Sequence, residues 1–178
     1  MQKHLVELKA RTQDHDRLRT LLTEAGADFR GTDHQIDRYY RVPEGRLKLR
    51  TGNIERSLIF YRRADQTEAK DSSVSLTRLG SEQEAISLAD TLERALGTWV
   101  TVDKHREIYF IDNVKFHLDT VAGLGTFVEI EAIGETEAER EALSRQVARY
   151  RQLLGIRGED LVADSYSDRL VGQITQNT

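Results

Sequence analysis

Ionisable side chains recur at every second position in five segments of the sequence. Residues two apart in an extended strand lie on the same face of that strand, so each segment would present a row of charges on one side. The rows are Glu7, Lys9 and Arg11; Arg46, Lys48 and Arg50; Lys104 and Arg106; His117 and Asp119; and Glu129 and Glu131.

A row of like charges needs a counter-charge, because neighbouring like charges on a sheet repel each other. For any single strand, the simplest interpretation is a charged face exposed to water. Five such strands favour a different interpretation, in which the rows face the inside of a closed barrel and a ligand supplies counter-charge. Basic rows beside a separate group of carboxylates suit a polyphosphate and its divalent metal ions, and oxygen ligands select Mg²⁺ or Mn²⁺.

Three segments have the apolar periodicity of helices. They cover residues 14–25, 81–96 and 135–154. Asp14 is a suitable N-cap for the first helix, and Ser81 with Glu84 forms a capping box for the second. Gly26 and Gly97 follow these two helices and are suited to ending them.

The remaining sequence alternates with period two and predicts eight strands. They cover residues 3–11, 33–42, 45–51, 56–63, 72–79, 99–110, 114–121 and 126–133. Turn sequences at Glu44-Gly45 and Asp112-Asn113 favour antiparallel neighbours. The prediction is an α+β protein in which an eight-stranded, mostly antiparallel closed β-barrel is flanked by three or more helices.

The composition excludes several classes of protein. The chain has 178 residues, 38% of them apolar, which predicts one domain over residues 1–178. The sequence contains no Cys, which excludes disulfides and a thiolate zinc site. The net charge of −4 argues against general nucleic-acid binding. No apolar run reaches the roughly 18 residues of a membrane span, and the N-terminus lacks the core of a signal peptide. We expect a cytoplasmic protein that binds neither nucleic acid nor membrane.

Several short motifs occur in a fixed order over nearly the whole chain. They are Leu5-Val6-Glu7-Leu8-Lys9, Gln35-Ile36-Asp37-Arg38-Tyr39-Tyr40, Gly45-Arg46-Leu47-Lys48-Leu49-Arg50, Leu58-Ile59-Phe60-Tyr61-Arg62-Arg63, Val102-Asp103-Lys104-His105-Arg106, Leu118-Asp119, the segment 123–131 with Glu129-Ile130-Glu131, and Ser165-Tyr166-Ser167-Asp168. This order resembles the CYTH proteins, also called triphosphate tunnel metalloenzymes, which include class IV adenylate cyclases and thiamine triphosphatases. The family's opening motif is Glu-x-Glu-x-Lys, and Leu5 replaces its first Glu here.

The resemblance implies that the barrel is a tunnel for a triphosphate. The implied phosphate-binding residues are Lys9, Lys48, Arg50, Arg63, Lys104 and Arg106. The implied ligands of Mg²⁺ or Mn²⁺ are Glu7, Asp119, Glu129 and Glu131, which would hold one or two ions. Because Leu5 removes one carboxylate of the family motif, the number of ions is left open. Asp119 has an alternative role as the partner of an arginine. Catalysis is assigned to Glu7, Lys9, Lys104 and Arg106.

The length and order of the motifs resemble the class IV adenylate cyclases most. Such an enzyme converts ATP to cyclic AMP and pyrophosphate by attack of the ribose 3′-hydroxyl on the α-phosphorus. The alternative is a triphosphatase acting on thiamine triphosphate, inorganic triphosphate or a nucleoside triphosphate, in which water attacks the γ-phosphorus. A second alternative, suggested by Leu5, is a non-catalytic polyphosphate- or nucleotide-binding module. The resemblance also implies a homodimer.

Overall fold

Eight strands and four α-helices make up the fold in this computed structural model, which describes residues 2–62 and 70–176. The strands are β1 (Gln2–Arg11), β2 (Asp28–Tyr40), β3 (Arg46–Gly52), β4 (Ser57–Arg62), β5 (Lys70–Arg78), β6 (Thr98–Ile111), β7 (Val114–Val121) and β8 (Gly125–Gly134). The helices are α1 (His15–Glu24), α2 (Glu82–Leu96), α3 (Arg140–Leu153) and α4 (Tyr166–Gln176).

The strands form a closed barrel in the order β1-β5-β4-β3-β2-β6-β7-β8, with β8 paired back to β1. Every pair between neighbouring strands is antiparallel. The predicted α+β class and eight-stranded barrel are therefore confirmed.

The outer face of β1 carries the main hydrophobic core. Val6, Leu8 and Ala10 alternate with the charged positions of β1 and are buried beneath α1 and α3, which contribute Leu18 and Val147. Because the apolar positions point outwards, the charged positions of the same strand must point into the barrel. The period-two pattern of this strand thus places its charges inside.

A second apolar cluster lies inside the barrel, at the end covered by α4. Tyr39, Val102 and Phe127 belong to this cluster, and α4 packs Tyr166 and Leu170 against it. The interior is therefore apolar at this end, and charged side chains line the cavity beyond it.

The helix ends follow the predicted signals. Asp14 accepts a hydrogen bond from the backbone N–H of Arg17 at 2.9 Å, and the Ser81–Glu84 capping box is present. Gly97, with φ of 71°, follows α2 in a conformation that favours glycine. Among the helices of the described residues, none has both the length and the apolar character needed to cross a membrane.

Candidate active site

The barrel encloses a cavity of about 1060 Å³. Eight of the predicted site residues line it: Glu7, Lys9, Lys48, Arg50, Lys104, Arg106, Glu129 and Glu131. Arg63 lies outside the described residues. The alternation of charges along β1, β3, β6 and β8 therefore brings together residues from most of the length of the chain.

One group of cations surrounds a single carboxylate, and we call Asp37, Lys48, Arg50 and Lys104 the Asp37 cluster. Arg50 donates to both oxygens of Asp37 at 2.8 and 2.9 Å, while Lys48 and Lys104 donate to Oδ2 at 3.0 and 2.8 Å. Burial alone would raise the pKa of the Asp37 carboxyl, but the three cations outweigh burial and hold this pKa well below its usual range. The protein itself thus supplies part of the counter-charge that the basic row of β3 requires.

Lys104 is the most deeply placed cation of the Asp37 cluster, with 2% of its side chain exposed. Burial, together with the nearby Arg106 and Arg50, lowers the pKa of Lys104 to about 7 despite the opposing effect of Asp37. Lys104 therefore changes its charge close to neutral pH, and an anion bound beside it would favour the protonated form.

Arg106, on β6, is held by two carboxylates, one on β7 and one on β8. Its Nε and Nη2 donate to the two oxygens of Asp119 at 2.6 and 2.5 Å, and Nη2 also donates to Glu129 at 2.7 Å. The hydroxyl of Tyr166 donates to Asp119 at 2.8 Å. Asp119 is fully buried, and both of its oxygens accept from Arg106. These contacts match the alternative role of Asp119 as the partner of an arginine, and they do not match the role of a metal ligand.

Three glutamates, Glu7, Glu129 and Glu131, form a carboxylate cluster on β1 and β8. Glu7 lies directly opposite Glu131 in the register of the two strands, and Lys9 lies opposite Glu129 with its Nζ 3.0 Å from that carboxylate. Burial raises the pKa of Glu131, and the neighbouring Glu7 and Glu129 raise it further. Facing carboxylates of this kind destabilise a sheet unless a cation lies between them.

His117 extends the carboxylate cluster. Its Nδ1 is 3.1 Å from Glu129, and because a carboxylate only accepts, this nitrogen carries the proton. Burial lowers the pKa of His117 to about 3, so the ring is neutral at physiological pH. Nε2 is buried and has no hydrogen-bond partner among the described residues. It can therefore accept from a water molecule on a metal ion, and three carboxylates with such an acceptor fit hydrated Mg²⁺ or Mn²⁺.

The structure adds functional candidates that the sequence did not single out. Asp37 is one of them. The length of the β2–β3 hairpin sets the register of the two strands, and this register places Asp37 opposite Arg50, so the hairpin could have identified Asp37. Glu55, in the connection between β3 and β4, accepts from Arg50 at 3.0 Å and from Lys115 at 2.5 Å. No local sequence pattern marks Glu55, because only the folded structure brings the β3–β4 connection over the cavity.

A model of the CYTH domain matches residues 3–166. The chain belongs to the CYTH domain family. No curated protein matches the sequence significantly. The CYTH family includes adenylate cyclase-like and triphosphatase members and metal-dependent enzymes that bind triphosphates in a tunnel.

Solved structures of similar fold span nearly the same length as this CYTH chain. A protein from Pyrococcus horikoshii OT3 is 26% identical, with a TM-score of 0.74 and coverage of 92% of this chain and 98% of that one. A candidate adenylate cyclase from Vibrio parahaemolyticus is 19% identical (TM-score 0.76, coverage 94% and 97%). A candidate adenylyl cyclase from Hippeastrum, with a dominant triphosphatase activity, is 17% identical (TM-score 0.62, coverage 97% and 96%).

One part of the remaining lining of the CYTH cavity is apolar, and we call it the apolar wall. It is formed by side chains that offer no hydrogen bond to a phosphate, among them Leu5, Ile59, Val74, Leu76, Leu79 and Ile133. Charged side chains, including Arg30, Arg56 and Arg78, line another part of the cavity. Leu5, which replaces the first glutamate of the family motif, lies opposite Ile133 and therefore extends this wall. The cavity thus combines a charged part with a part suited to an uncharged organic group.

Proposed function

We propose that this CYTH protein is a metal-dependent enzyme acting on a nucleoside triphosphate, and that it is an adenylate cyclase converting ATP to cyclic AMP and pyrophosphate. The observation that carries the proposal is that the Asp37 cluster and the carboxylate cluster lie around one cavity. The Asp37 cluster holds three cations on one carboxylate, whereas the carboxylate cluster places Glu7 against Glu131. A metal-bound triphosphate would add negative charge beside the first group and positive charge beside the second.

The cations of the Asp37 cluster would bind the triphosphate oxygens. Arg50 uses three of its five N–H donors on Asp37 and Glu55, and two remain for phosphate. Lys48 and Lys104 each donate one hydrogen bond to Asp37 and have further donors available. Since Asp37 fixes all three cations before the substrate arrives, little orientational freedom is lost on binding.

Glu7, Glu129 and Glu131 would hold one or two Mg²⁺ or Mn²⁺ ions, with His117 accepting from the hydration shell. An ion held by these residues would supply electrostatic stabilisation of the negative charge on the phosphate groups. Lys9 would also bind the triphosphate, and its Nζ contacts Glu129 and lies 3.9 Å from the centre of the Tyr166 ring. Arg106, fixed by Asp119, would orient the end of the triphosphate nearest β7.

The apolar wall supports a nucleoside triphosphate over inorganic triphosphate. A bare triphosphate has no group to place against Leu5, Ile59 or Leu76, whereas the base and ribose of a nucleotide do. In the cyclase, that wall would hold the nucleoside so that its 3′-hydroxyl attacks the α-phosphorus in line with the departing pyrophosphate.

A triphosphatase is the second candidate. The Hippeastrum protein of the same fold has a dominant triphosphatase activity, and the same cations and metal ligands serve attack by water on the γ-phosphorus. The two reactions differ in which phosphorus is attacked and therefore in their products.

Identification of the products tests these proposals. Purified protein is incubated with ATP and either Mg²⁺ or Mn²⁺, and the nucleotides are separated by chromatography, with Glu129→Gln as the matched control. Cyclic AMP with pyrophosphate supports the cyclase, and ADP with phosphate supports the triphosphatase. Metal-dependent ATP binding without turnover would refute both enzymatic proposals and favour the binding module. Light scattering of the same preparation tests the proposed homodimer.

A further inference from the structure

Two histidines and an aspartate form a compact group on the outside of the barrel. His34 on β2 lies directly opposite His105 on β6, and Asp103 precedes His105 by two residues on the same face. The adjacent Lys104 and Arg106 point into the cavity, so the three side chains point away from it. They belong to neither the Asp37 cluster nor the carboxylate cluster.

The three side chains are already close to one another. Nε2 of His34 lies 2.8 Å from Oδ1 of Asp103, and the rings of His34 and His105 are stacked with centroids 4.4 Å apart and an interplanar angle of 7°. One ligand atom from each residue can be chosen so that all three lie within 4.8 Å of one another. The side chains of His34 and Asp103 are each 50% exposed, which leaves room for an ion and its water molecules.

We propose that His34, Asp103 and His105 form a surface binding site for a transition-metal ion such as Zn²⁺. Zinc binds imidazole nitrogen and carboxylate oxygen at about 2.0–2.2 Å in tetrahedral geometry, so two ligand atoms of one ion lie about 3.4 Å apart. A spacing of up to 4.8 Å must therefore shorten, and the stacked rings of His34 and His105 must turn towards the ion. Exposed side chains make such changes by rotation about their side-chain bonds.

The paired strands make the site rigid enough to bind an ion. Directly opposite residues on antiparallel strands have Cβ atoms about 4.5–5.5 Å apart, and diagonal residues are the next nearest. His34 and His105 are the direct pair, and Asp103 is diagonal to His34. The ladder of β2 and β6 therefore holds the three ligands in a triangle without help from a loop.

Ligand chemistry separates this site from the interior one. Imidazole nitrogens favour Zn²⁺, Ni²⁺ and Cu²⁺, whereas the glutamates of the carboxylate cluster favour Mg²⁺ and Mn²⁺. The surface site offers two imidazoles and one carboxylate, whereas the interior site offers three carboxylates and the imidazole of His117, so the surface site should show the stronger preference for Zn²⁺ over Mg²⁺. The proposal does not depend on which reaction the cavity performs.

Calorimetric titration with ZnCl₂ in millimolar Mg²⁺, without nucleotide, tests the site. We expect the wild-type protein to bind one Zn²⁺ outside the interior site. His34→Gln and His105→Gln should each weaken this binding by about tenfold or more, and Asp103→Asn should also weaken it. The matched control is His4→Gln, because His4 lies on β1 with the opposite orientation to the cavity-lining Leu5 and Glu7 and should leave binding unchanged.

Co²⁺ gives an independent readout, since its visible absorption reports its coordination geometry. We expect a spectrum in the wild-type protein that His34→Gln and His105→Gln remove and that excess Mg²⁺ leaves in place. Circular dichroism checks that the variants fold. Zn²⁺ affinity that is the same in wild type, His34→Gln and His105→Gln would overturn the proposal, as would the absence of Zn²⁺ binding in the wild-type protein.

Discussion

The two charged groups inside the barrel are built in opposite ways. In the Asp37 cluster, one carboxylate neutralises part of the charge of three cations, and burial together with ion pairing fixes every member. In the carboxylate cluster, Glu7 and Glu131 are placed opposite each other, and burial raises the pKa of Glu131. In the first group one carboxylate holds three cations, whereas in the second Lys9 and Arg106 both pair with Glu129 and the pKa of Glu131 stays raised.

This difference indicates which half of the site is formed before ligands arrive. Holding the cations in place should increase the affinity for a triphosphate, because the triphosphate then meets donors that are already oriented. The three carboxylates lie close together, and their combined negative charge favours a divalent ion. Changes on the two sides should therefore have opposite effects on the stability of the metal-free protein.

Removal of the shared carboxylate is expected to have the largest effect. Asp37→Asn leaves three enclosed cations without their partner and should lower the free energy of unfolding by about 3 kcal/mol or more, measured by urea denaturation. Because the folded-state pKa of Asp37 lies below its unfolded value, its stabilisation should also be lost as pH falls through that range. Asp103→Asn, in an exposed pair, is the control and should change stability by less than about 1 kcal/mol. Equal effects would contradict the role assigned to Asp37.

Loss of a proposed metal ligand should have the second-largest effect. Glu129→Gln should reduce turnover by roughly a hundredfold or more, because the metal contributes several kcal/mol to the transition state. Higher Mg²⁺ should restore part of the activity if the defect is metal binding. Glu107→Gln is the control, since Glu107 pairs with Arg19 away from the cavity. Full activity in Glu129→Gln would show that this face of β8 does not bind the metal.

A smaller effect is expected from a single cation of the Asp37 cluster. Lys104→Ala should weaken the binding of Mg²⁺ and inorganic triphosphate by about tenfold, or about 1.4 kcal/mol, as measured by calorimetry. With a pKa of about 7, Lys104 loses its charge as pH rises, so wild-type affinity should fall above pH 7. Lys104→Arg stays charged and should lose this pH dependence. The same fall in Lys104→Arg would assign the titration to another group.

The smallest predicted change has the opposite sign. Glu131→Gln removes one of two facing carboxylates and should raise the stability of the metal-free protein by up to about 1 kcal/mol. The raised pKa means that ionised Glu131 costs stability at neutral pH, which the amide avoids. Thermal unfolding with and without Mg²⁺ measures both the gain and the expected loss of stabilisation by metal. A less stable variant would show that no repulsion exists between Glu7 and Glu131.

Most of the barrel could be predicted from the sequence because burial on one face imposes period two on the strands. The prediction was less accurate where that pattern is broken. β2 begins at Asp28 instead of residue 33, because a register shift between Phe29 and Gly31 interrupts the alternation. α4 was not predicted, and α3 begins at Arg140, after a short 3₁₀ turn at Glu137–Glu139.

The candidate site was predictable to the extent that it lies on regular strands. The rows that include Lys48, Arg106 and Glu131 were correctly placed inside, since alternation alone decides the direction of a side chain. Partners across the barrel were not predictable in the same way. Glu55 reaches the site through tertiary folding, and no local pattern marks it. Tyr166 lies in the motif Ser165-Tyr166-Ser167-Asp168, but its contact with Asp119 could not be read from that motif.

The seam where β8 joins β1 has a consequence for how the protein folds and unfolds. Glu7 and Glu131 lie near opposite ends of the barrel sequence, so the carboxylate cluster exists only after the ring has closed. Pairing of such distant segments is slow, and we expect it to come late in folding. A divalent ion would then find its ligands only in the closed barrel, so the ion should slow unfolding while leaving the refolding rate nearly unchanged.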